Sequence, residues 1–313
     1  MPLTSHGRST QAAIEAMSNA ATPERLNPPP NQRRVPIGGL DTFLYEAGAG
    51  DPVLLLHGAS IAVDAWLTWF RCFEPLAKSR RVISYDQPCF GRTAIPADGG
   101  YLDREKRAEH AQAVLDYLDL PTVTLVGHSE GGFIATRLAI QNPDRVKKLV
   151  IVTSGGTSPR LNDARDAGWM AASAETYDYA GRSVDEDTYV RTEGHLRTKQ
   201  DPAFETVLRQ NFRQARDSGS TDCLLRHAAG SSGNAGYENY TAVQERAIFP
   251  FLPHLTCPTL LVWAGSDATV PVARGLALAD LIPNSEMHVF PRAGHWVMHE
   301  EAAGFNNLLD SWI

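Results

Sequence analysis

At 313 residues, 43% of them hydrophobic, the chain is long enough to bury a large core. Lys+Arg at 29 against Asp+Glu at 36 leaves a net charge of -7, so no basic surplus points to nucleic acid or to an anionic membrane. No apolar run approaches the ~18 residues a bilayer demands, and Cys72, Cys89, Cys223 and Cys257 are scattered without a C-x-x-C pair or metal-ligand spacing. Those features predict a cytoplasmic protein with reduced thiols and no bound metal.

Residues 1–34 mix Ala, Ser, Pro and charge, with a short helical pattern around Gln11 to Ala20 and then Pro28-Pro29-Pro30. They read as an N-terminal extension. The default is a mobile terminus, and an arm packed on a neighbouring subunit of a homo-oligomer is the alternative. From Val35, Gly38-Gly39 separates two short runs of a hairpin, and Val53 to His57 is a nearly continuous apolar strand of the kind covered on both faces of a parallel sheet. Ala62 to Ala77 has helical spacing, Arg81 to Asp86 reads as a strand, and Asp103 to Leu118 as a helix ending before Pro121. Thr122 to Val126 and Lys148 to Thr153 are strands that flank a helix from Phe133 to Gln141. Pro258 to Ala264 and Glu286 to Phe290 are later strands, and Glu300 to Trp312 is a final helix. Alternating strands and helices predict a mostly parallel central sheet flanked by helices, with its core in 35–154 and 251–313. The polar stretch 155–250 lacks long apolar runs, and reads as an inserted helical lid, an element that commonly selects substrate and excludes water.

Between the strand ending at Val126 and the helix beginning at Phe133 lies Gly127-His128-Ser129-Glu130-Gly131. In that context Gly-x-Ser-x-Gly is a nucleophile elbow, a sharp turn presenting a serine at the top of the sheet. Small residues are required on both sides, because a Cβ at Gly127 or Gly131 would strike the adjoining strand or helix. A serine hydroxyl needs a general base, and the base needs an acid to orient it. In the order Ser, acid, His, the chain supplies Asp267 just past one late strand and His295 in the loop after the last. Asp280 lies within a helical stretch and Glu286 at a strand's start, which makes them weaker candidates; His299 belongs nearer the last helix. The backbone N–H groups of Glu130 and of Ala59, in His57-Gly58-Ala59, would form the oxyanion hole. His57 and His128 read as structural, and Trp66, Trp69 and Phe70 as core.

Over roughly residues 35–313 these motifs, with Tyr85-Asp86-Gln87-Pro88-Cys89-Phe90-Gly91, resemble the α/β-hydrolases. Within that family, Ala293-Gly294-His295-Trp296 and Phe305-Asn306-Asn307-Leu308 resemble the carbon–carbon bond hydrolases of aromatic ring-cleavage products, and the related monoalkyl phthalate hydrolases. The resemblance implies an enzyme without cofactor and a lid arginine that pairs with a substrate carboxylate, placed at Arg209. Trp296 and Ser60, beside the base and in the oxyanion loop, are the other expected substrate contacts.

That subfamily carries Asn before its serine, where it helps hold a dienolate oxygen, and Met after; this chain has His128 and Glu130, and Cys89 replaces a customary glycine. These departures favour a serine carboxylic-ester hydrolase acting on a small aromatic ester with a free carboxylate, such as a monoalkyl phthalate. Carbon–carbon bond hydrolysis is the alternative, and a non-catalytic ligand receptor of the same fold is the alternative from another class.

Overall fold

The computed structural model describes residues 31–161, 184–231 and 234–313, with a few isolated positions between 164 and 171. The helical pattern around Gln11 to Ala20 lies outside them. Among the described residues, eight strands form one sheet in the order β1-β2-β4-β3-β5-β6-β7-β8. β1 (Asn31–Ile37) and β2 (Leu40–Ala47) are the hairpin, and both β1–β2 and β2–β4 are antiparallel. β3 (Pro52–Leu56), β4 (Arg81–Tyr85), β5 (Val123–His128), β6 (Val146–Val152), β7 (Thr259–Ala264) and β8 (Ser285–Phe290) run parallel. The hairpin begins at Asn31, inside the stretch expected to be extension, because Asn31 to Arg34 pair with Glu46 to Phe43.

β3, β5, β6 and β7 read as continuous apolar runs because helices cover both faces of the sheet, and every residue of β7 is buried. α1 (Ala65–Ala77) starts three residues later than its apolar pattern, where the Asp64 carboxylate accepts the Leu67 N–H at 2.7 Å. α2 (Arg104–Tyr117) is capped in the same way by Asp103. α3 (Glu130–Gln141) follows β5 at once. Trp69 is fully buried in the core under α1, in agreement with a packing role.

Between β6 and β7 the described chain runs through α4 (Glu186–His195), α5 (Pro202–Asp217), α6 (Ser220–Ser231) and α7 (Asn234–Ala247). α5 buries Phe204, Val207, Leu208, Asn211 and Phe212 on one face, against the core that includes α1. α8 (Val272–Ala279) links β7 to β8. The expected last helix is two elements, the single turn α9 (Val297–Glu300) and α10 (Ala302–Trp312), broken at Glu301. Among the described residues no helix is long and apolar enough to cross a membrane.

Candidate active site

The parallel register brings the C-terminal ends of β3, β5, β7 and β8 to one edge of the sheet, where loops converge. Ser129 follows β5 with a φ of +52°, in the left-handed region that residues other than glycine seldom enter. Its strain is held in place: the Ser129 N–H donates to the Val152 carbonyl at 2.9 Å, and the Ser129 carbonyl accepts from Ser154 Oγ at 2.6 Å. The flanking glycines are obligatory. A Cβ on Gly127 would lie 2.3 Å from the Gly131 carbonyl oxygen, and one on Gly131 would lie 2.2 Å from that of Leu56.

The loops after β7 and β8 are tied together by backbone bonds, Gly265 N–H to the Phe290 carbonyl and Ser266 N–H to the Ala293 carbonyl, each 2.9 Å. This places Asp267 Oδ2 2.7 Å from His295 Nδ1, both buried. The other Asp267 oxygen accepts from Thr269 N–H at 2.8 Å, Thr269 Oγ at 2.9 Å and Val270 N–H at 3.0 Å. Such a carboxylate fixes the tautomer with the proton on Nδ1, leaving Nε2 to act as acceptor. Burial alone would lower the pKa of His295; the charge and hydrogen bond of Asp267, with the charges of Glu193 and Glu300, override it and raise it above 6.5. Asp280 caps the end of α8 and Glu286 lies within β8, so neither competes with Asp267.

Ser129, His295, Ala59 and Gly58 line one small cavity, open to solvent, with Ser60, Val63, His128, Glu193 and Trp296; its volume is about 10 Å³. Glu130 is the first residue of α3, so its N–H has no acceptor within the helix and is available to an anion there. Its side chain is committed elsewhere. Buried Arg104 and Arg107 both pair with it, Arg107 Nη2 at 2.9 Å, and the Tyr240 hydroxyl of α7 donates to it at 3.2 Å. Burial pushes the Glu130 carboxyl up, and the two guanidinium groups more than reverse this.

The oxyanion loop is braced by His57. Its Nε2 accepts the Gln87 N–H at 2.9 Å, which requires the proton on Nδ1, donated to the Gly58 carbonyl at 2.6 Å. Burial drives its pKa to about 3, so it is neutral and structural, as expected. His128 is more than packing, since it lines the cavity while its Nε2 donates to the His295 carbonyl at 3.0 Å. With the proton on Nε2, its Nδ1 is a bare acceptor, and burial holds the ring well below its ordinary pKa.

Arg209 is a correction. It follows Leu208 on α5, and with the inward face already taken by Val207, Leu208 and Asn211 it projects outward, 2.7 Å from Asp187 and 3.0 Å from Glu186. It does not line the cavity. Among the described residues of the helical segment, the one that does is Glu193, on α4, which accepts hydrogen bonds from Ser60 Oγ and, at 3.2 Å, from Trp296 Nε1. Ser60 and Trp296 thus both line the cavity, joined through Glu193. Glu193 carried no signal in the sequence, because an acid in an acid-rich polar helix reads as solvated surface. Thr269 was equally silent.

A profile described as alpha/beta hydrolase fold matches residues 51–302 of the chain. The chain belongs to the α/β-hydrolase family. This α/β-hydrolase is 33% identical over 296 residues to 2-hydroxymuconate semialdehyde hydrolase of Pseudomonas sp. (strain CF600), covering 92% of this chain and 95% of the relative. It is 32% identical to 2-hydroxy-6-oxo-2,4-heptadienoate hydrolase of Pseudomonas putida F1, covering 90% and 95%. In fold it is similar to a meta-cleavage product hydrolase from Pseudomonas fluorescens IP01, with a TM-score of 0.73 at 23% identity over 88% of this chain and 95% of that one. The α/β-hydrolase is thus an enzyme of the hydrolase class, related to the meta-cleavage product hydrolases.

Proposed function

We propose that the protein hydrolyses a carbon–carbon bond next to a ketone in a ring-cleavage product, by an acyl-enzyme mechanism. The observation that carries this reading is one-third identity, over nearly the whole length of both chains, to relatives named as hydrolases of such compounds, together with a cavity lined by Ser129, His295 and Ala59. Ser129 attacks the ketone carbon while His295 takes its proton, Asp267 steadies the imidazolium, and the N–H groups of Ala59 and Glu130 receive the oxyanion. Collapse expels a carbon leaving group whose electron pair is delocalised into a second, conjugated carbonyl and which then takes a proton. Water activated by His295 releases the carboxylic acid from Ser129.

One observation favours ester hydrolysis by the same residues, the preference drawn from the sequence. The resemblance implies an asparagine N–H to a dienolate oxygen, whereas His128 has donated its only proton to the His295 carbonyl. An ester needs no such donor. Glu130 no longer separates the two readings, because its side chain is used in packing with Arg104 and Arg107. The carboxylate-bearing half-ester loses its support with Arg209.

Turnover of 2-hydroxy-6-oxohepta-2,4-dienoate and of p-nitrophenyl acetate, compared as kcat/KM, tests the proposal. Dominant ester turnover would overturn it, and absence of fluorophosphonate labelling at Ser129 would remove both readings in favour of a receptor. Reduced thiols support a cytoplasmic location, since Cys72, Cys89, Cys223 and Cys257 are all free and buried.

A further inference from the structure

The two N–H donors assigned to the oxyanion come from different segments, Ala59 after β3 and Glu130 at the start of α3, and one buried guanidinium from a third element reaches both segments. Arg107 of α2 donates Nη2 to Glu130 Oε1 at 2.9 Å and Nη1 to Gln87 Oε1 at 3.1 Å. Gln87 passes the contact on: its Nε2 donates to the His57 carbonyl at 2.6 Å and its N–H to the His57 ring, whose Nδ1 donates to the Gly58 carbonyl beside Ala59. Every bond on this path from Glu130 to Gly58 is buried.

Packing alone gives little reason for a charge at Arg107. Arg104 already pairs with both Glu130 oxygens, through Nε at 3.0 Å to Oε1 and through Nη2 to Oε2, so one guanidinium neutralises the carboxylate without Arg107. The buried Arg107 Nε has no partner among the described residues, and ionic groups taken out of water seldom add net stability. What Arg107 adds is a rigid planar fork, whose two ends fix the distance between Glu130 and Gln87.

We propose that Arg107 is a positioning residue that clamps the two halves of the oxyanion hole, holding the Ala59 and Glu130 N–H groups at the separation a tetrahedral intermediate requires. The inference rests on the acyl-enzyme reading of Ser129 but not on which bond is cut. A donor off its mark costs little in binding a planar substrate carbonyl and much in holding the oxyanion. The effect therefore belongs in kcat, at about 10- to 100-fold, below the loss of a donor outright.

The experiment measures kcat and KM on whichever of p-nitrophenyl acetate and 2-hydroxy-6-oxohepta-2,4-dienoate is turned over, together with the Ki of 1,1,1-trifluoroacetone. Ser129 Oγ adds to the carbonyl carbon of that ketone, the serine proton passes to His295, and the carbonyl electron pair becomes the oxyanion. Arg107→Met and Gln87→Met each cut the path between the two donors. Both are expected to lower kcat by about 10- to 100-fold with KM changed by less than about twofold, and to weaken the ketone by the same factor as kcat. Gln87→Met removes no charge, and it decides the matter if Arg107→Met fails to fold. Unchanged kcat and Ki in folded Gln87→Met would overturn the inference, as would a fall in kcat without a change in Ki, the mark of a general loosening. If the wild type turns over neither substrate and takes no fluorophosphonate at Ser129, the acyl-enzyme reading falls and the clamp with it; an active wild type with indifferent variants removes the clamp alone.

Discussion

On the sheet side of the cavity, Ser129, Asp267 and His295 are set by backbone: a left-handed turn pinned to β6, two loops tied across β7 and β8, and three donors on one carboxylate oxygen. On the helical side Glu193 hangs from α4 by two side-chain bonds, to Ser60 and Trp296. The first arrangement holds reacting atoms in place whatever the substrate, and the second can change by one substitution without disturbing the sheet. The two sides meet at Leu196, whose carbonyl accepts the His295 N–H at 2.8 Å, so the segment after α4 also steadies the base.

Variants of the sheet side should break catalysis outright. Ser129→Ala is expected to lower kcat by about 10⁶-fold, and retention of more than about a hundredth of the wild-type rate would remove the nucleophile assignment. Asp267→Asn preserves shape but permits the wrong imidazole tautomer, for an expected loss of about 10⁴-fold, read in kcat at constant fold. Glu130→Ala keeps the backbone N–H but leaves Arg104 and Arg107 buried without their carboxylate, for about 3–5 kcal/mol of stability measured by denaturant titration.

The pH profile joins the two sides. His295 must be neutral to take a proton, and its pKa is raised above 6.5, so kcat/KM should fall as pH drops through a limb above that value. Glu193 is one of the charges that raise it; removing that charge destabilises the imidazolium, so Glu193→Gln should move the limb to lower pH. A limb that stays put would separate the two groups. The smallest effect is expected at Arg209→Ala, which loses exposed ion pairs to Glu186 and Asp187 and should leave KM unchanged.

Much of the sheet side was legible because its signals are local. Gly127 and Gly131 are dictated by contacts within a few residues or with the next strand, and Asp267 and His295 follow strands whose apolar runs announce them. The hairpin start at Asn31 was missed because its partner, β2, and not its own composition, makes it a strand. Arg209 was misplaced because a charged residue on an amphipathic helix has two faces open to it, and the packing of Phe204, Val207 and Leu208 decided which.

By itself the sequence determined the alternation of strands and helices, the strained serine turn and the order of acid and base, since each depends on residues near in the chain or on strand ends that a parallel sheet must align. Tertiary structure alone decided that His128 has spent its proton on His295, that Glu130 is neutralised by Arg104 and Arg107, and that among the described residues Glu193, not an arginine, faces the cavity. Those outcomes depend on contacts spanning up to 167 residues of chain, and no local pattern encodes them.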